Sequence, residues 1–302
     1  MEHVIIHKSI AIAALARNCE SNLPGNIRRI ETLRTYFDNS FVFVYENDST
    51  DSTKEILEHW ATHSDNVIIK QEHLEPLTKD IPHISRFYHG VSLHRMNRMS
   101  FCRNRLFSMI RENCKPDYVL FIDSDILSFS VEGIVKAIIN APADWGALFA
   151  NSFMTYTTSH ATNNIPIYYD TFPYVATHRD IQTIRAYEIS LPYRFYLSKR
   201  LYNVVQGNRY FQCASAFGGI GIYHFNSIQE SCYQTLRPAN WKNEDIALCE
   251  HISFNMGIKA SKYISQDIHV CYADYPCKGI KGWLLQHFPS FYVLIGILRD
   301  II

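Results

Sequence analysis

The amino-acid sequence predicts an α/β protein built on a doubly wound, mostly parallel sheet. In its first half, short apolar runs alternate with segments in which apolar residues recur at helical spacing, an order typical of β-α-β units. The 302 residues, 47% of them hydrophobic, suffice for one large domain or two small ones with a sizeable core. Ligands of such sheets bind beyond the carboxyl ends of the strands.

The individual elements follow from these patterns. The predicted strands are short apolar runs, at 10–16, 41–45, 66–70, 118–122 and 145–149. The predicted helices lie at 24–36, 53–60 and 96–113. Residues 71–94 are polar and rich in His and Pro, which predicts a loop. The second half is less regular, with a glycine turn at 217–221 and a helix predicted near 243–256, and we expect one compact unit.

Charge and cysteine content narrow the class of protein. Lys and Arg number 29, as do Asp and Glu, so the formal net charge is zero, which argues against a general nucleic-acid binder. None of the eight cysteines forms a CxxC pair, as expected for reduced thiols in a cytosolic protein. The N-terminus lacks a signal-peptide core. The sequence contains no run of about 18 apolar residues, so no transmembrane helix is predicted. We therefore expect a cytoplasmic protein.

Two carboxylates follow the fourth predicted strand directly, in the sequence Phe121-Ile-Asp123-Ser-Asp125. At the end of a buried strand, this spacing allows both side chains to reach one hard cation. Mg²⁺ and Mn²⁺ take oxygen ligands and bridge phosphates. The alternative is a solvated turn that happens to hold two aspartates.

A second polar segment, residues 45–53, follows the second predicted strand. Its Ser, Thr and Asp residues at 49–53 are ordinary N-cap residues for the next helix. Glu46 lies too early in the segment for capping, so we interpret it as an acceptor for a nucleobase or ribose group.

These two segments together resemble the GT-A glycosyltransferases, especially family-2-like enzymes. The sequence Glu-Asn-Asp-Ser-Thr-Asp-Ser-Thr at 46–53 and the Tyr-Asp-Thr-Phe segment at 169–172 also look like the capsule-associated mannosyltransferases of fungi. The resemblance implies a UDP- or GDP-sugar donor and a Mn²⁺ or Mg²⁺ ion. It implies that Glu46 and Asp48 contact the donor and that Asp123 and Asp125 hold the metal, with Asp123 also near the donor.

The resemblance extends to further donor and metal contacts. Arg17 lies in a stretch that lines the nucleotide in such enzymes, and Arg103 lies on a helix that presents an Arg-Asn pair toward the donor. Gly218 and Gly219 would let the backbone turn close to the donor sugar. His269 occupies the position of a late metal ligand, with Asp267 and His287 as rivals.

An acidic pair, Glu244-Asp245, resembles the pair at the start of a helix in inverting enzymes of this fold. There the second acid takes the proton of the acceptor hydroxyl, so the resemblance makes Asp245 the general base and Glu244 its catalytic neighbour. The structural alternative is an acidic pair favoured by the helix macrodipole.

Taken together, these features predict a metal-dependent glycosyltransferase that is inverting and acts in surface polysaccharide or glycolipid synthesis. Residues 1–150 would bind the nucleotide-sugar, and residues 151–275 would bind a carbohydrate or glycolipid acceptor. The alternatives are a retaining enzyme with the same metal site, a nucleotidyltransferase, and a non-catalytic carbohydrate-binding protein.

The composition of the tail, residues 276–302, predicts a separate role for it. Lys278 and Lys281 precede Trp283 and the apolar run 291–298. Basic residues beside aromatic and aliphatic ones suit a lipid interface, so we expect peripheral contact with the inner face of a membrane. The alternative is a helix packed on the protein's own core.

Overall fold

The computed structural model describes residues 4–74, 90–157, 165–272 and 275–276. The strands are β1 (Ile6–Ala16), β2 (Phe37–Asn47), β3 (Val67–Glu72), β4 (Tyr118–Asp123), β5 (Ser128–Phe129), β6 (Trp145–Thr157), β7 (Ile165–Tyr168), β8 (Tyr210–Gln212), β9 (Ile220–His224), β10 (Ser261–Cys271) and β11 (Tyr275–Pro276). The helices are α1 (Leu23–Arg34), α2 (Thr53–His63), α3 (Leu93–Asn113), α4 (Val131–Ile139), α5 (Leu191–Gln206), α6 (Phe225–Ile228) and α7 (Glu250–Met256).

All of these strands join one sheet. Its main path runs β3-β2-β1-β4-β9-β6-β10-β5, and β7, β8 and β11 pair beside this path. The pairs β1–β2, β1–β4, β2–β3 and β6–β10 are parallel, whereas β9 runs antiparallel between β4 and β6. The predicted doubly wound, mostly parallel α/β sheet is confirmed.

The central strands are buried on both faces. Residues 10–14 of β1 and 118–122 of β4 are buried throughout, the near-continuous apolar pattern expected of a sheet covered by helices. Apolar side chains of α1, α2 and α4 form the core on one face. Those of α3, α5 and α7 form the core on the other face.

The predicted helix near 243–256 begins only at Glu250, so that prediction is corrected. The residues before it run alongside the start of α3 instead. Ser92 and Ile246 form an antiparallel bridge, and the amide of Leu93 donates to the carbonyl of Asp245 at 2.8 Å. These long-range bonds satisfy backbone groups that a longer helix would have paired internally.

The register of the parallel strands brings three strand ends together. Ala16 of β1 lies opposite Glu46 of β2, and Leu15 lies opposite Asp123 of β4. The polar segments that follow β1, β2 and β4 therefore meet at one edge of the sheet, where ligands of such sheets bind.

The sequence also predicts a division of the chain into two halves and a separate tail. The predicted division at residue 150 falls inside β6, which belongs to the same sheet as the first half. Residues 277–302 of the tail lie outside the described residues. Within the parts of the chain that the structure describes, no helix is long and apolar enough to cross a membrane.

Candidate active site

A cleft of about 300 Å³ opens at the carboxyl edge of the sheet. Its walls come from the end of β1, the first half of α3, the end of β4, the segment after β7 and the start of α7. It is lined by Leu15, Ala16, Arg17, Cys19, Asn47, Arg95, Met96, Arg98, Met99, Cys102, Arg103, Asp123, Ser124, Asp125, Tyr169, Asp170, Phe172, Phe217, Cys249, Glu250 and His251.

Asp123 and Asp125 both line this cleft, as the sequence predicts. Asp123 Oδ1 accepts from the Arg103 guanidinium at 3.3 Å, and Asp123 Oδ2 accepts from the Tyr272 hydroxyl at 3.0 Å. Burial raises the pKa of Asp123 to about 6, and the charge of Asp125 adds to this rise against the opposing effect of Arg103. Partial desolvation likewise raises the pKa of Asp125. The repulsion between two neighbouring carboxylates is relieved by a bound cation.

Arg103 is the buried cation behind this pair. Its Nε donates to Glu250 at 2.8 Å, and its guanidinium lies 5.2 Å from the centre of the Phe217 ring. Burial opposes its charge, but Glu250 and Asp123 outweigh burial and raise the pKa of Arg103. Arg103 therefore holds Asp123 and is itself held by α7. Arg103, predicted to contact the nucleotide-sugar donor, does line the cleft, but its N–H groups already bind the carboxylates of Glu250 and Asp123.

Three more arginines, Arg17, Arg95 and Arg98, line the cleft. Arg17 follows β1, where the sequence predicts a nucleotide contact, and is exposed. Arg95 and Arg98 lie on the first turns of α3, and Arg95 donates to the carbonyl of Gly90 at 2.8 Å. Guanidinium groups suit phosphate oxygens, so this side of the cleft complements a diphosphate.

The residues at the end of β4 fit a hard divalent cation. Asp123 and Asp125 supply oxygen ligands, and a Mg²⁺- or Mn²⁺-type site completes its shell with water and substrate phosphates. Among residues 4–74, 90–157, 165–272 and 275–276, no group of three or more His, Cys, Asp or Glu is gathered in a metal-binding arrangement. The described residues therefore offer this pair of carboxylates rather than a closed cage.

His269, expected from the sequence as a metal ligand, does not line the cleft with the two aspartates. Its side chain is exposed, between the buried Ile268 and Val270 of β10. Side chains alternate between the faces of a strand, so His269 is directed away from the core. The rival Asp267 is engaged by Lys136 at 2.8 Å and Arg209 at 3.1 Å, and His287 lies outside the described residues.

Glu46 and Asp48 flank the cleft rather than line it. Glu46 is fully buried, and its Oε1 accepts from the amide of Ser49 at 2.7 Å. It closes the turn before α2 but does not cap that helix, whose N-cap residue is Ser52, so the expectation that it stands too early to cap is confirmed. Asp48, with a φ of 54°, accepts from His73 at 2.6 Å. Asn47, between them, is the residue of this turn that faces the cleft.

Gly218 and Gly219 lie behind the cleft wall. Their φ angles are 65° and 84°, a region that favours glycine. A Cβ on Gly219 would lie 2.5 Å from the Tyr272 hydroxyl. The carbonyl of Gly219 accepts a hydrogen bond from the amide of Asp123 at 2.9 Å. Instead of lining the cleft, the pair supports Asp123 and Tyr272 from behind.

The acidic pair 244–245 does not line the cleft either. Glu244 is exposed, and Asp245 is half-buried, with its carbonyl accepting from the amide of Leu93, the first residue of α3, at 2.8 Å. The acid of this region that enters the cleft is Glu250, the first residue of α7.

Sequence reasoning missed several cleft residues that are brought in from distant segments. Asp170, in the segment noted above only for its resemblance, has a φ of 65° and lines the cleft. Burial raises the pKa of Asp170 to about 7, with Asp123 and Glu250 adding to the rise. His251 stacks on Phe217 with ring centres 3.9 Å apart. An acidic residue in a left-handed conformation has no signature in a single sequence, whereas Glu250 and His251 follow the Glu-Asp pair closely enough to have been considered.

Comparisons with known proteins bear on this site. Residues 9–260 match the protein family described as Cryptococcal mannosyltransferase 1. Procollagen galactosyltransferase 1-A of Xenopus laevis is 25% identical over 176 residues, which make up 55% of this chain and 28% of that protein. The chain thus spans less than a third of the length of that curated relative.

Solved structures are similar at lower identity. TarS of S. aureus is 15% identical with a TM-score of 0.42, over 98% of this chain and 66% of that one. The mannosyltransferase PcManGT of Pyrobaculum calidifontis, solved with GDP-Man and Mn²⁺, is 12% identical with a TM-score of 0.45, over 98% of this chain and 65% of that one. The family match, by contrast, covers most of the chain, and the chain therefore belongs to the cryptococcal mannosyltransferase 1 family of glycosyltransferases.

Proposed function

We propose that the protein is a metal-dependent glycosyltransferase that moves a sugar from a UDP- or GDP-sugar to a hydroxyl of an acceptor. One observation carries the proposal: Asp123 and Asp125 line the same cleft as Arg17, Arg95 and Arg98 at the carboxyl edge of the sheet. Carboxylates for a cation beside guanidinium groups for phosphates suit a sugar diphosphate. Membership of the family supports the class of reaction.

The chain's own residues have distinct tasks in this proposal. Arg17, Arg95 and Arg98 bind the phosphate oxygens of the donor and orient them. Arg103 keeps Asp123 ionised and in place through the contacts described above. A Mn²⁺ or Mg²⁺ ion, held by Asp123 and Asp125, would offset the negative charge that builds on the departing nucleoside diphosphate.

For the acceptor, we propose an inverting course in which Asp245 takes the proton of the attacking hydroxyl. A retaining course is the second candidate, and it is favoured by the position of Asp245 outside the residues that line the cleft. The anomeric configuration of the product, read by NMR, separates the two courses. Under the inverting course, Asp245→Asn lowers kcat about 10²–10⁴-fold, the range for loss of a general base.

The wider setting also belongs to the proposal. We propose a cytoplasmic enzyme at the inner face of a membrane, acting in surface polysaccharide or glycolipid synthesis. The support is the amphipathic composition of residues 276–302, with basic residues beside aromatic and aliphatic ones. Flotation with anionic and neutral vesicles tests it, and equal failure to float with both contradicts the membrane contact.

The main experiment has a binding step and a turnover step. A panel of UDP- and GDP-sugars is screened by thermal unfolding with and without Mn²⁺, because a ligand of the native state raises the midpoint. Release of nucleoside diphosphate is then measured with the best donor, before and after chelation. Asp125→Ala should abolish turnover and keep a wild-type circular dichroism spectrum. Full turnover in chelator, or in a folded Asp125→Ala variant, would refute the metal assignment.

A further inference from the structure

A second cavity, of about 540 Å³, lies beside the cleft. It is lined by residues of the segments 171–179 and 184–189, by one face of α5, and by Phe211, Leu248 and Ile252. Nothing in the proposed metal and donor site uses this space. Its size is within the range of pockets that hold small molecules, about 300–1,000 Å³.

Two segments of chain contribute to the lining of both the cavity and the cleft. In the segment after β7, Asp170 lines the cleft, Thr171 lines the cavity, and Phe172 lines both. At the start of α7, Glu250 lines the cleft, whereas Leu248 and Ile252 on either side line the cavity. A molecule in the cavity would therefore lie next to the place where a donor would bind.

The lining of the cavity is apolar with a cluster of cations. Aliphatic and aromatic side chains dominate it: Phe172, Tyr174, Val175, Ile184, Ile189, Tyr193, Leu197, Leu201, Val204, Phe211, Leu248 and Ile252. Its charged members are Arg179, Arg194, Arg200 and Glu188. Three guanidinium groups against one carboxylate leave an excess of positive charge in an apolar space.

Two guanidinium groups of this cluster, those of Arg179 and Arg194, point to an anion. Arg179 pairs with Glu188 at 2.5 Å, yet its Nε is buried without a hydrogen-bond partner among the described residues. Arg194 is buried, with its guanidinium carbon 3.2 Å from the centre of the Phe172 ring. Burial lowers the pKa of Arg194 to about 9, and the charge of Asp170 only partly offsets this effect. A buried guanidinium nitrogen such as Arg179 Nε gains from an anion that offers acceptor oxygens.

We propose that this cavity is the acceptor site and that it selects an anionic amphiphile, in which a phosphate or carboxylate is joined to an apolar body. The arginines bind the anionic group, and the aliphatic and aromatic walls take the apolar body. The hydroxyl to be glycosylated is then carried at the end of the molecule that lies by Phe172, which lines both spaces, and points toward the cleft. The role as acceptor site rests on the proposed function, whereas the binding of such a molecule does not.

The binding test uses three probes without any donor: octyl phosphate below its critical micelle concentration, octyl glucoside and inorganic phosphate. Calorimetry should show that octyl phosphate binds at least about tenfold more tightly than the other two, because octyl glucoside lacks the charged acceptor oxygens and inorganic phosphate lacks the apolar chain. Equal binding of octyl glucoside would contradict an anion site. Equal binding of inorganic phosphate would mean that the apolar walls contribute nothing to binding, and would contradict the proposal that the ligand is an amphiphile.

Two variants locate the binding in the cavity. Arg179→Gln and Arg200→Gln should each weaken octyl phosphate binding about 10–100-fold, the range expected for loss of one charged hydrogen bond. Arg185→Gln is the matched control, because Arg185 is exposed on the same segment and does not line the cavity. Equal effects of all three substitutions would overturn the assignment. Arg200 is exposed, so its variant remains informative if loss of Arg179 impairs folding.

A transfer assay separates this inference from the proposed function. With an anionic amphiphilic alcohol as acceptor, Arg200→Gln should raise the acceptor KM and leave hydrolysis of the donor by water unchanged. If amphiphiles bind but no nucleotide-sugar is turned over, the proposed function fails and the binding site stands. If transfer occurs with an acceptor KM that is unchanged in both variants, the acceptor assignment fails and the proposed function stands.

Discussion

The hydroxyl of Tyr272 donates a hydrogen bond to Oδ2 of Asp123 at 3.0 Å, between residues 149 positions apart in the sequence. It connects the end of β10 to the end of β4, at the carboxylate that we propose as a metal ligand. The Tyr272 ring also lies against Gly219 and, with ring centres 3.6 Å apart, against Tyr169. The position of Asp123 therefore depends on three segments besides its own strand.

Tyr272→Phe should weaken metal binding while the fold is kept. The ring remains, but Asp123 loses a hydrogen bond that lowers its pKa, so protons compete better with the cation. A hydrogen bond to a charged group contributes about 1.5–3 kcal/mol, which sets an upper limit of roughly 10–100-fold. The Mn²⁺ concentration for half-maximal turnover at pH 6.5 measures the effect. An unchanged Mn²⁺ requirement would show that the hydroxyl does not position Asp123.

Gly219→Ala should destabilise the protein by roughly 1–3 kcal/mol, the cost of a residue held in a disfavoured backbone region. The φ of 84° disfavours any side chain, and the new Cβ would meet Tyr272 at 2.5 Å. Chemical denaturation measures the free energy of unfolding. Gly257→Ala is the control, because Gly257 has a φ of −71° and its nearest neighbouring atom lies 3.5 Å from the added Cβ. Equal stability of the two variants would contradict the argument.

Asp170→Asn should become more stable relative to the wild type as the pH rises. Burial raises the pKa of Asp170 from 3.8 to about 7 in the folded protein. A carboxyl group with a raised folded pKa binds its proton more tightly when folded, so its contribution to stability is present below about 4 and is lost as the pH rises to about 7. The amide mimics the protonated form at every pH and avoids this loss.

The pH prediction is tested by the difference in unfolding free energy between the wild type and Asp170→Asn. Unfolding free energies of wild type and Asp170→Asn are compared from pH 4 to 8 in chelator, since other carboxylates with lowered pKa values, such as Asp117, act in the opposite direction. A difference that stays constant across this range would mean that Asp170 titrates normally.

His251→Phe should leave the ligand-free protein as stable as the wild type or more stable, by about 1–2 kcal/mol. His251 is buried, and both of its ring nitrogens lack hydrogen-bond partners among the described residues. An unsatisfied buried polar group costs about 1–3 kcal/mol, and a phenyl ring keeps the stacking on Phe217. Thermal and chemical unfolding provide the measurement. A clear loss of stability would show that interior water satisfies the imidazole in the folded protein.

Much of the fold could be predicted because its signals are local. The strands 10–16, 41–45 and 118–122 were recognisable as apolar runs, and each lies within an observed strand. Once the strands are parallel, their carboxyl ends share an edge, so the meeting of Arg17, Asn47 and Asp123 follows from the order of elements alone. The helices α4 and α5 were not predicted, although α4 carries a serine cap at Ser130 that a sequence search could have used.

The sequence by itself determined the parallel sheet, the place of Asp123 and Asp125 at its edge and the resemblance to a glycosyltransferase family, because apolar periodicity and contiguous motifs are encoded over a few neighbouring residues. Only the tertiary structure decided that Glu250 and Tyr272 hold the site, that Asp170 enters it and that His269 stays outside. Only the tertiary structure placed a cationic cavity beside the cleft. These relationships depend on how chain segments up to 149 residues apart pack together, and a contact of that kind leaves no periodic or contiguous pattern in a single sequence.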